Sequence, residues 1–158
     1  MSHPKEEKTL IIVKPDSIQR SLVGEIIGRF ERKGLKIIGA KMVRISDLLL
    51  EEHYSHHKDK PFFRSLKEYM QSSPVILMVL SGINAVSATR LIVGPTRGYE
   101  ADAGSIRGDL SLNAQSNLVH ASESPEAGET EVKRFFSEDE LFDYEKSDFR
   151  YIYADESF

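Results

Sequence analysis

Asn117-Leu118-Val119-His120-Ala121-Ser122-Glu123-Ser124-Pro125 joins a short apolar run to an imidazole and then to a helix start. Leu118 and Val119 read as strand. Ser124-Pro125 opens a helix, because a serine hydroxyl can take a free N–H of the first turn and proline fits the first helical position. The helix that follows places Ala127, Gly128, Val132, Phe135 and Phe136 on one stripe, and Glu131 falls inside it by the i, i+3, i+4 rule. A carboxylate on a buried face needs a hydrogen-bonding partner, and an imidazole at the end of the preceding strand is the right kind of group. A carboxylate on one ring nitrogen fixes the tautomer and leaves the other nitrogen free to act as a nucleophile. Taken alone, a histidine at a strand end is more often a hydrogen-bonded structural residue, and Glu131 could instead pair with Lys133 or Arg134.

Strand and helix signals alternate along the rest of the chain. Thr9 to Val13 is an apolar, β-branched run that stops at the turn signal Lys14-Pro15-Asp16. Leu22, Val23, Ile26, Ile27 and Phe30 repeat at helical spacing, with Gly34 placed to end that helix. Ile37 to Ile45 reads as a second strand. Asp47 caps a polar helix through His57, and Pro61 opens another that covers Phe62, Phe63, Leu66, Tyr69 and Met70. Pro74 to Leu80 is a buried strand, followed by a helix from Asn84 to Val93. Gly94 to Ser116 reads as one long irregular segment, and such segments in a compact domain are usually functional. It holds Thr96, Arg97, Gly104, Ser105, Arg107 and Gly108, with Arg90 on the helix just before it. This order suits an α/β chain of the α+β kind, a ferredoxin-like split βαβ sandwich with helices packed on a four-stranded antiparallel sheet. Without repeats or linkers, residues 1–158 read as a single domain, with 1–7 as a flexible N-terminus.

Composition excludes several classes. The chain has 158 residues, a formal net charge of -4 and no cysteine. Disulfides, thiolate catalysis and cysteine zinc sites are therefore absent, and the acidic balance argues against nucleic-acid binding through the overall field. Met1 to Lys8 lacks the apolar core of a signal peptide, and no apolar run approaches a membrane span. A cytoplasmic protein without membrane or specific nucleic-acid partners is expected. His53 and His57 stand four apart on a helix, a spacing that can hold a metal, but the sequence offers no evident third ligand. No Gly-Lys-Ser/Thr or Asp-Phe-Gly sequence appears, which disfavours P-loop and protein-kinase-type enzymes.

Four short segments occur in order: Val13-Lys14-Pro15-Asp16, Lys58-Asp59-Lys60-Pro61-Phe62-Phe63, Ser105-Ile106-Arg107-Gly108-Asp109 and Asn117-Leu118-Val119-His120. Together with Glu131, they make the chain similar to the nucleoside diphosphate kinase family from about Lys8 to Phe136. The resemblance implies ping-pong transfer of the γ-phosphoryl group from a nucleoside triphosphate to a nucleoside diphosphate through a phosphohistidine. It gives His120 the nucleophile's role and Glu131 that of orienting it, with Tyr54 placing its phenol beside the histidine. Lys14, Arg90 and Arg107 would neutralise phosphate oxygens, Thr96 would donate a hydroxyl to a phosphate, and His57 would reach the phosphates behind the arginines. Lys14 and Asn117 would meet the ribose hydroxyls, and Phe62 would stack on the base, which gives low base selectivity. Mg2+ would be carried mainly by the nucleotide phosphates, with no protein metal ligands. A homo-oligomer is implied, a hexamer ahead of a tetramer, with 137–158 as a C-terminal extension at subunit contacts. Two alternatives from other classes are a ferredoxin-like nucleic-acid-binding or regulatory module and a scaffold subunit with a vestigial pocket. Departures from the family pattern are Ser17 and Ser21 for glycines, Ala121-Ser122-Glu123 for Gly-Ser-Asp, and Gly98 and Ala103 for prolines, a pair whose restoration is expected to stabilise the loop.

Overall fold

The computed structural model describes residues 3–154. Four strands, β1 (Glu6–Val13), β2 (Lys36–Val43), β3 (Val75–Ile83) and β4 (Val119–Ala121), form one sheet in the order β2-β3-β1-β4. All three pairings are antiparallel, and Ile12 at the centre faces Leu77 on one side and His120 on the other. This is the four-stranded antiparallel sheet expected of the ferredoxin-like arrangement.

The helices cover both faces of the sheet, and the reason lies in β1. Leu10 to Val13 is a continuous apolar run, the mark of a strand buried on both sides. Alternate side chains point to opposite faces. Leu10 and Ile12 therefore join Leu50, Leu66, Met70, Val132 and Phe135 in one core, while Ile11 and Val13 join Ile26, Phe30, Val93 and Ile106 in a second. After the short helix α1 (Pro15–Gln19), α2 (Val23–Lys33) supplies Ile26 and Phe30 to the second core. The first core takes Leu50 from α3 (Asp47–His53) and Leu66 and Met70 from α4 (Phe63–Gln71). Next, α5 (Ala85–Val93) and α6 (Ile106–Leu110) return to the second core, and α7 (Pro125–Phe135) lies on the first.

Local chemistry sets the helix ends. Gly34 stops α2 with φ 100°, a left-handed conformation that glycine adopts without strain. The Ser124 hydroxyl accepts from Ala127 N–H at 3.0 Å with Pro125 in the first turn, as the sequence predicts. On α7, a Cβ at Gly128 would stand 2.2 Å from the Lys8 carbonyl oxygen. The helix can lie this close to β1 only because that side chain is missing, and Glu131 follows one turn later on the same face.

Several sequence expectations are corrected. Lys14-Pro15-Asp16 leads into α1 rather than a simple turn. Ser46, not Asp47, caps α3 by accepting from Leu49 N–H at 3.3 Å, and α3 ends at His53 before a separate 3-10 turn over Ser55–His57. Leu118 is not a strand residue: its φ is 77°, and β4 begins one residue later. The segment from Gly94 to Ser116 is partly ordered, with a 3-10 turn at Gly98–Glu100 and α6, whose Ser105 hydroxyl accepts from Gly108 N–H at 3.0 Å. Glu6 and Glu7 are strand residues and not part of a flexible end, because Glu6 pairs with Lys36 at 3.2 Å and Glu7 accepts from Val86 N–H at 3.0 Å. Proline does not suit Gly98: its N–H donates to the Asn113 carbonyl at 3.2 Å, and a Cβ there would meet the Ser111 carbonyl oxygen at 2.4 Å.

The C-terminal segment lies on the body of the domain. Phe142 N–H donates to the Ile38 carbonyl on β2 at 2.8 Å. The short helix α8 (Phe149–Ile152) leads to Tyr153, whose hydroxyl accepts from Ile83 N–H at 3.2 Å. Residues 1–2 and 155–158, part of the two terminal segments read from sequence, lie outside the described residues.

Candidate active site

The site is built around β4. Val119 and Ala121 are buried in the second core, so alternation turns His120 to the other face, toward α7. There Glu131 Oε1 stands 3.1 Å from His120 Nε2, with the glutamate side chain only 13% exposed. The approach is close but off the line of the ring N–H, so it is an electrostatic contact rather than an aligned hydrogen bond. Nδ1 of His120 has no hydrogen bond or ion pair among the described residues. The second oxygen of Glu131 accepts from the Ser122 hydroxyl, which itself accepts from Leu10 N–H at 2.9 Å. Burial opposes the charge on Glu131, but hydrogen bonding and attraction from His120, Ser122 and His53 hold its carboxyl below the usual range.

A second histidine stands behind the first. His53, at the end of α3, is buried, and its ring meets that of His120 edge-on at 4.8 Å. Arg134 Nη1 contacts His53 Nδ1 at 3.1 Å, while Arg134 Nε pairs with Glu52 at 3.3 Å. Burial, with the nearby His120 and Arg134 charges, pushes the His53 pKa down to about 3, so it is neutral at pH 7. Glu131 therefore turns to the two histidines, and Arg134 serves His53. His53 and Ser122 are site residues that the sequence reading did not identify. Ser122 was within reach of it, since residues i and i+2 of a strand share a face.

His53, His120 and Glu131 could each offer one ligand atom to a metal ion, with those atoms spread over as much as 4.8 Å. Two ligands of one zinc ion stand at most roughly 4.2 Å apart, given bonds of about 2.1 Å. The Arg134 guanidinium already occupies His53 Nδ1. As it stands the cluster is spread wider than one zinc ion spans, with the Arg134 guanidinium at one corner.

The polar side of the site is one hydrogen-bonded network. Lys14, at the end of β1, is buried, and its Nζ donates to Asn117 Oδ1 at 2.7 Å. Burial and the Arg107 charge lower the Lys14 pKa to about 7, against a smaller opposing effect from Asp16. Asn117 Nδ2 donates to the carbonyls of Thr96 at 3.0 Å and Ala114 at 2.8 Å. Arg107 is 4% exposed and donates to the carbonyls of Asn117, Gly94 and Val119 at 3.1, 3.0 and 2.6 Å. Three of its five N–H groups are thus spent, two on the segment that carries His120 and one on Gly94 at the end of α5. Burial and Arg90 lower its pKa to about 10, so the guanidinium stays charged at pH 7. Arg90, on α5, reaches the Ala121 carbonyl at 3.5 Å.

The aromatic side rises from α3 and the turn after it. Tyr54 follows His53 and is buried, with its ring 4.7 Å from that of His53; burial and Glu131 push its phenol pKa up. The ring of His57 lies 5.1 Å from that of Phe62, and its Nδ1 is buried without a hydrogen-bond partner. Phe62 is 44% exposed, whereas Phe63 packs against the first core. The pair divides its labour: Phe63 anchors α4 and Phe62 offers a ring to solvent.

Comparison with known proteins decides what this arrangement is. The nucleoside diphosphate kinase family model matches residues 7–141. The chain belongs to the nucleoside diphosphate kinase family. A nucleoside diphosphate kinase of Parabacteroides distasonis is 50% identical over 152 residues, covering 96% of this chain and 99% of that protein. One from Archaeoglobus fulgidus is 50% identical over 149 residues, covering 94% and 99%. Among solved structures, a halophilic nucleoside diphosphate kinase from Halobacterium salinarum in complex with CDP superposes with a TM-score of 0.91 at 42% identity, covering 94% of this chain and 99% of that one. The likeness therefore spans nearly the whole of each nucleoside diphosphate kinase compared.

Proposed function

We propose that this nucleoside diphosphate kinase carries the γ-phosphoryl group on Nδ1 of His120. The observation that supports this most directly is the placement of Glu131 on Nε2, which leaves Nδ1 as the nitrogen with an unengaged lone pair. In the first half-reaction, that lone pair forms a bond to the γ-phosphorus as the bond to the β,γ-bridging oxygen breaks, and nucleoside diphosphate departs. In the second, a β-phosphate oxygen of another nucleoside diphosphate attacks the same phosphorus, the N–P bond breaks and the imidazole is restored. Glu131 balances the positive charge that the phosphorylated ring acquires.

The remaining roles follow from chemistry and position. Lys14, Arg90 and Arg107 supply fixed positive charge for phosphate oxygens, where most catalysis of phosphoryl transfer resides. Thr96 is exposed and offers its hydroxyl, and His57, whose ring lies beside that of Phe62, adds one more polar contact. Tyr54, whose ring meets that of His53, would bring its phenol to the side of the catalytic histidine. Lys14 and Asn117 meet the ribose, and Phe62 stacks on the base, which accounts for broad nucleotide use. The Halobacterium relative binds CDP, a pyrimidine nucleotide, and stacking on a ring makes no demand that the base be a pyrimidine or a purine. A divalent cation accompanies the reaction, and we assign it as Mg2+ held on the substrate's phosphates. The groups proposed to face those phosphates are cations, which complement the nucleotide rather than ligate a metal, and Mg2+ bound there neutralises developing charge.

The chain works as a homo-oligomer, a hexamer ahead of a tetramer, in the cytoplasm. Strand β2 lies at the sheet edge with Met42 exposed, a surface that monomers usually shield. No helix among the described residues is long and apolar enough to cross a membrane. Light scattering at micromolar concentration tests the assembly, and a clean monomer counts against it. The mechanism is tested by incubating the protein with γ-labelled nucleoside triphosphate. Acid-labile, base-stable label on wild type, absent from folded His120→Asn, is the expected result. Nucleotide-to-nucleotide transfer that persists in His120→Asn overturns it.

A further inference from the structure

One carboxylate outside the phosphate-facing set ties the two sides of the site together. Asp16, in the first turn of α1, accepts from the Tyr69 hydroxyl through Oδ1 and from Leu118 N–H through Oδ2 at 3.0 Å. Tyr69 belongs to α4, the helix that begins immediately after Phe62. Leu118 lies between Asn117 and β4, two residues before His120. Its φ of 77° is a backbone conformation that leucine rarely adopts, and its side chain is fully buried. Such a conformation persists only where the surroundings over-determine it. Here the N–H is held by Asp16, while the carbonyl accepts from Lys14 N–H at 2.9 Å and from the Ser17 hydroxyl at 2.6 Å. Lys14, Asp16 and Ser17 thus grip both polar groups of one strained residue.

The consequence is geometric. The turn at Leu118 decides where Asn117 and His120 point, and α4 carries the ring of Phe62 at its start. Asp16 hydrogen-bonds both, through one oxygen to each. Its negative charge also favours the protonated forms of Lys14 and Arg107.

We propose that Asp16 is a positioning residue for phosphoryl transfer, its carboxylate pinning the α4 helix to the strained turn that aims His120, so that base platform and nucleophile share one fixed point. This rests on the reading of His120 as phosphate acceptor and Phe62 as base platform. Ser17, where the family commonly has glycine, adds a hydroxyl to the same clasp.

The test uses the full chain and three variants: Asp16→Ala, Asp16→Asn and Tyr69→Phe. Single-turnover labelling of His120 by nucleoside triphosphate and the nucleotide KM are measured well below each variant's thermal midpoint. Displacement of a reacting group by about 1 Å costs on the order of 10²-fold, so Asp16→Ala is expected to slow labelling by roughly one to two orders of magnitude. Asp16→Asn keeps an oxygen for Leu118 N–H and recovers much of that rate. Tyr69→Phe cuts only the arm to α4, so its effect falls on KM more than on the rate at saturation. If Asp16→Ala does not fold, the split between Asp16→Asn and Tyr69→Phe decides. Labelling rates and KM values equal to wild type, with only the midpoint lowered, would make Asp16 a structural residue and overturn the proposal. A wild-type chain that takes no acid-labile label fails earlier and overturns the reading of His120 instead.

Discussion

Glu131 Oε1 lies 3.1 Å from Nε2 of His120, and its other oxygen is held by the Ser122 hydroxyl. The glutamate is thus anchored before it meets the ring, and it turns toward the imidazole with its charge intact. Glu131→Gln keeps the shape and removes the charge. Orienting and acid–base groups commonly contribute on the order of 10²-fold, so single-turnover phosphorylation of His120 should slow by about that factor without stopping. An unchanged rate would remove Glu131 from the mechanism.

Lys14 gives a prediction about protons. Burial and Arg107 bring its pKa to about 7 in the free site. Phosphate bound beside it favours the charged form and raises the pKa again. Between about pH 7 and the ordinary lysine value, near 10.4, nucleotide binding should therefore take up protons. Calorimetry at pH 8 in buffers of different ionisation enthalpy reads this directly. Equal binding enthalpies in all buffers would contradict the placement of Lys14 against phosphate.

His53 makes stability depend on pH in a defined window. Its folded pKa of about 3 lies below the ordinary 6.5, so the unfolded chain binds the extra proton between those values. Stability is then fully present above about pH 6.5 and is lost as pH falls toward 3. Glu131, whose carboxyl is also held low, adds a loss in the same direction below about 4.5. His53→Gln should flatten the change in denaturation midpoint between pH 7 and pH 5, where carboxylates contribute little. A slope identical to wild type would mean that the buried imidazole is not the titrating group.

Two substitutions toward the family pattern should act in opposite directions. Ser21 holds φ 57° on an exposed turn, a conformation that glycine adopts at no steric cost. Ser21→Gly should raise stability by about 0.5–1 kcal/mol, the left-handed penalty less glycine's entropy. Gly98→Pro should lower it by about 1–3 kcal/mol, since the bond to Asn113 is lost and the ring meets Ser111. Thermal denaturation compares the two, and a stabilised Gly98→Pro would show that the loop takes another path.

The strands and longer helices were legible because their signals are local. Gly34, the Ser124-Pro125 cap and the apolar runs of β1 and β3 each specify their structure within a few residues. The stripe on α7 correctly paired Glu131 with His120, because strand and helix are consecutive and α7 packs on β1. Long-range relationships were hidden. The helix α6 is five residues long and contains a glycine, so no periodicity announces it. Leu118 reads as strand by composition, yet hydrogen bonds with Lys14, Asp16 and Ser17, some hundred residues earlier, override that preference. His53 read as one of two helical histidines at a spacing that can hold a metal, and only its burial against α7 reveals the partnership with His120.

Asn117 has no side-chain amide hydrogen to spare. Its oxygen is taken by Lys14, both amide hydrogens by Thr96 and Ala114, and its own carbonyl by Arg107. On the proposed placement, a ribose hydroxyl can donate to the second lone pair of Oδ1, but it can accept from the amide only by displacing the Thr96 or Ala114 carbonyl. One contact is then open and the other is an exchange of one hydrogen bond for another, which adds little net affinity. A pocket of that kind would let either nucleotide depart quickly, as suits an enzyme that must release one diphosphate before it can accept the next.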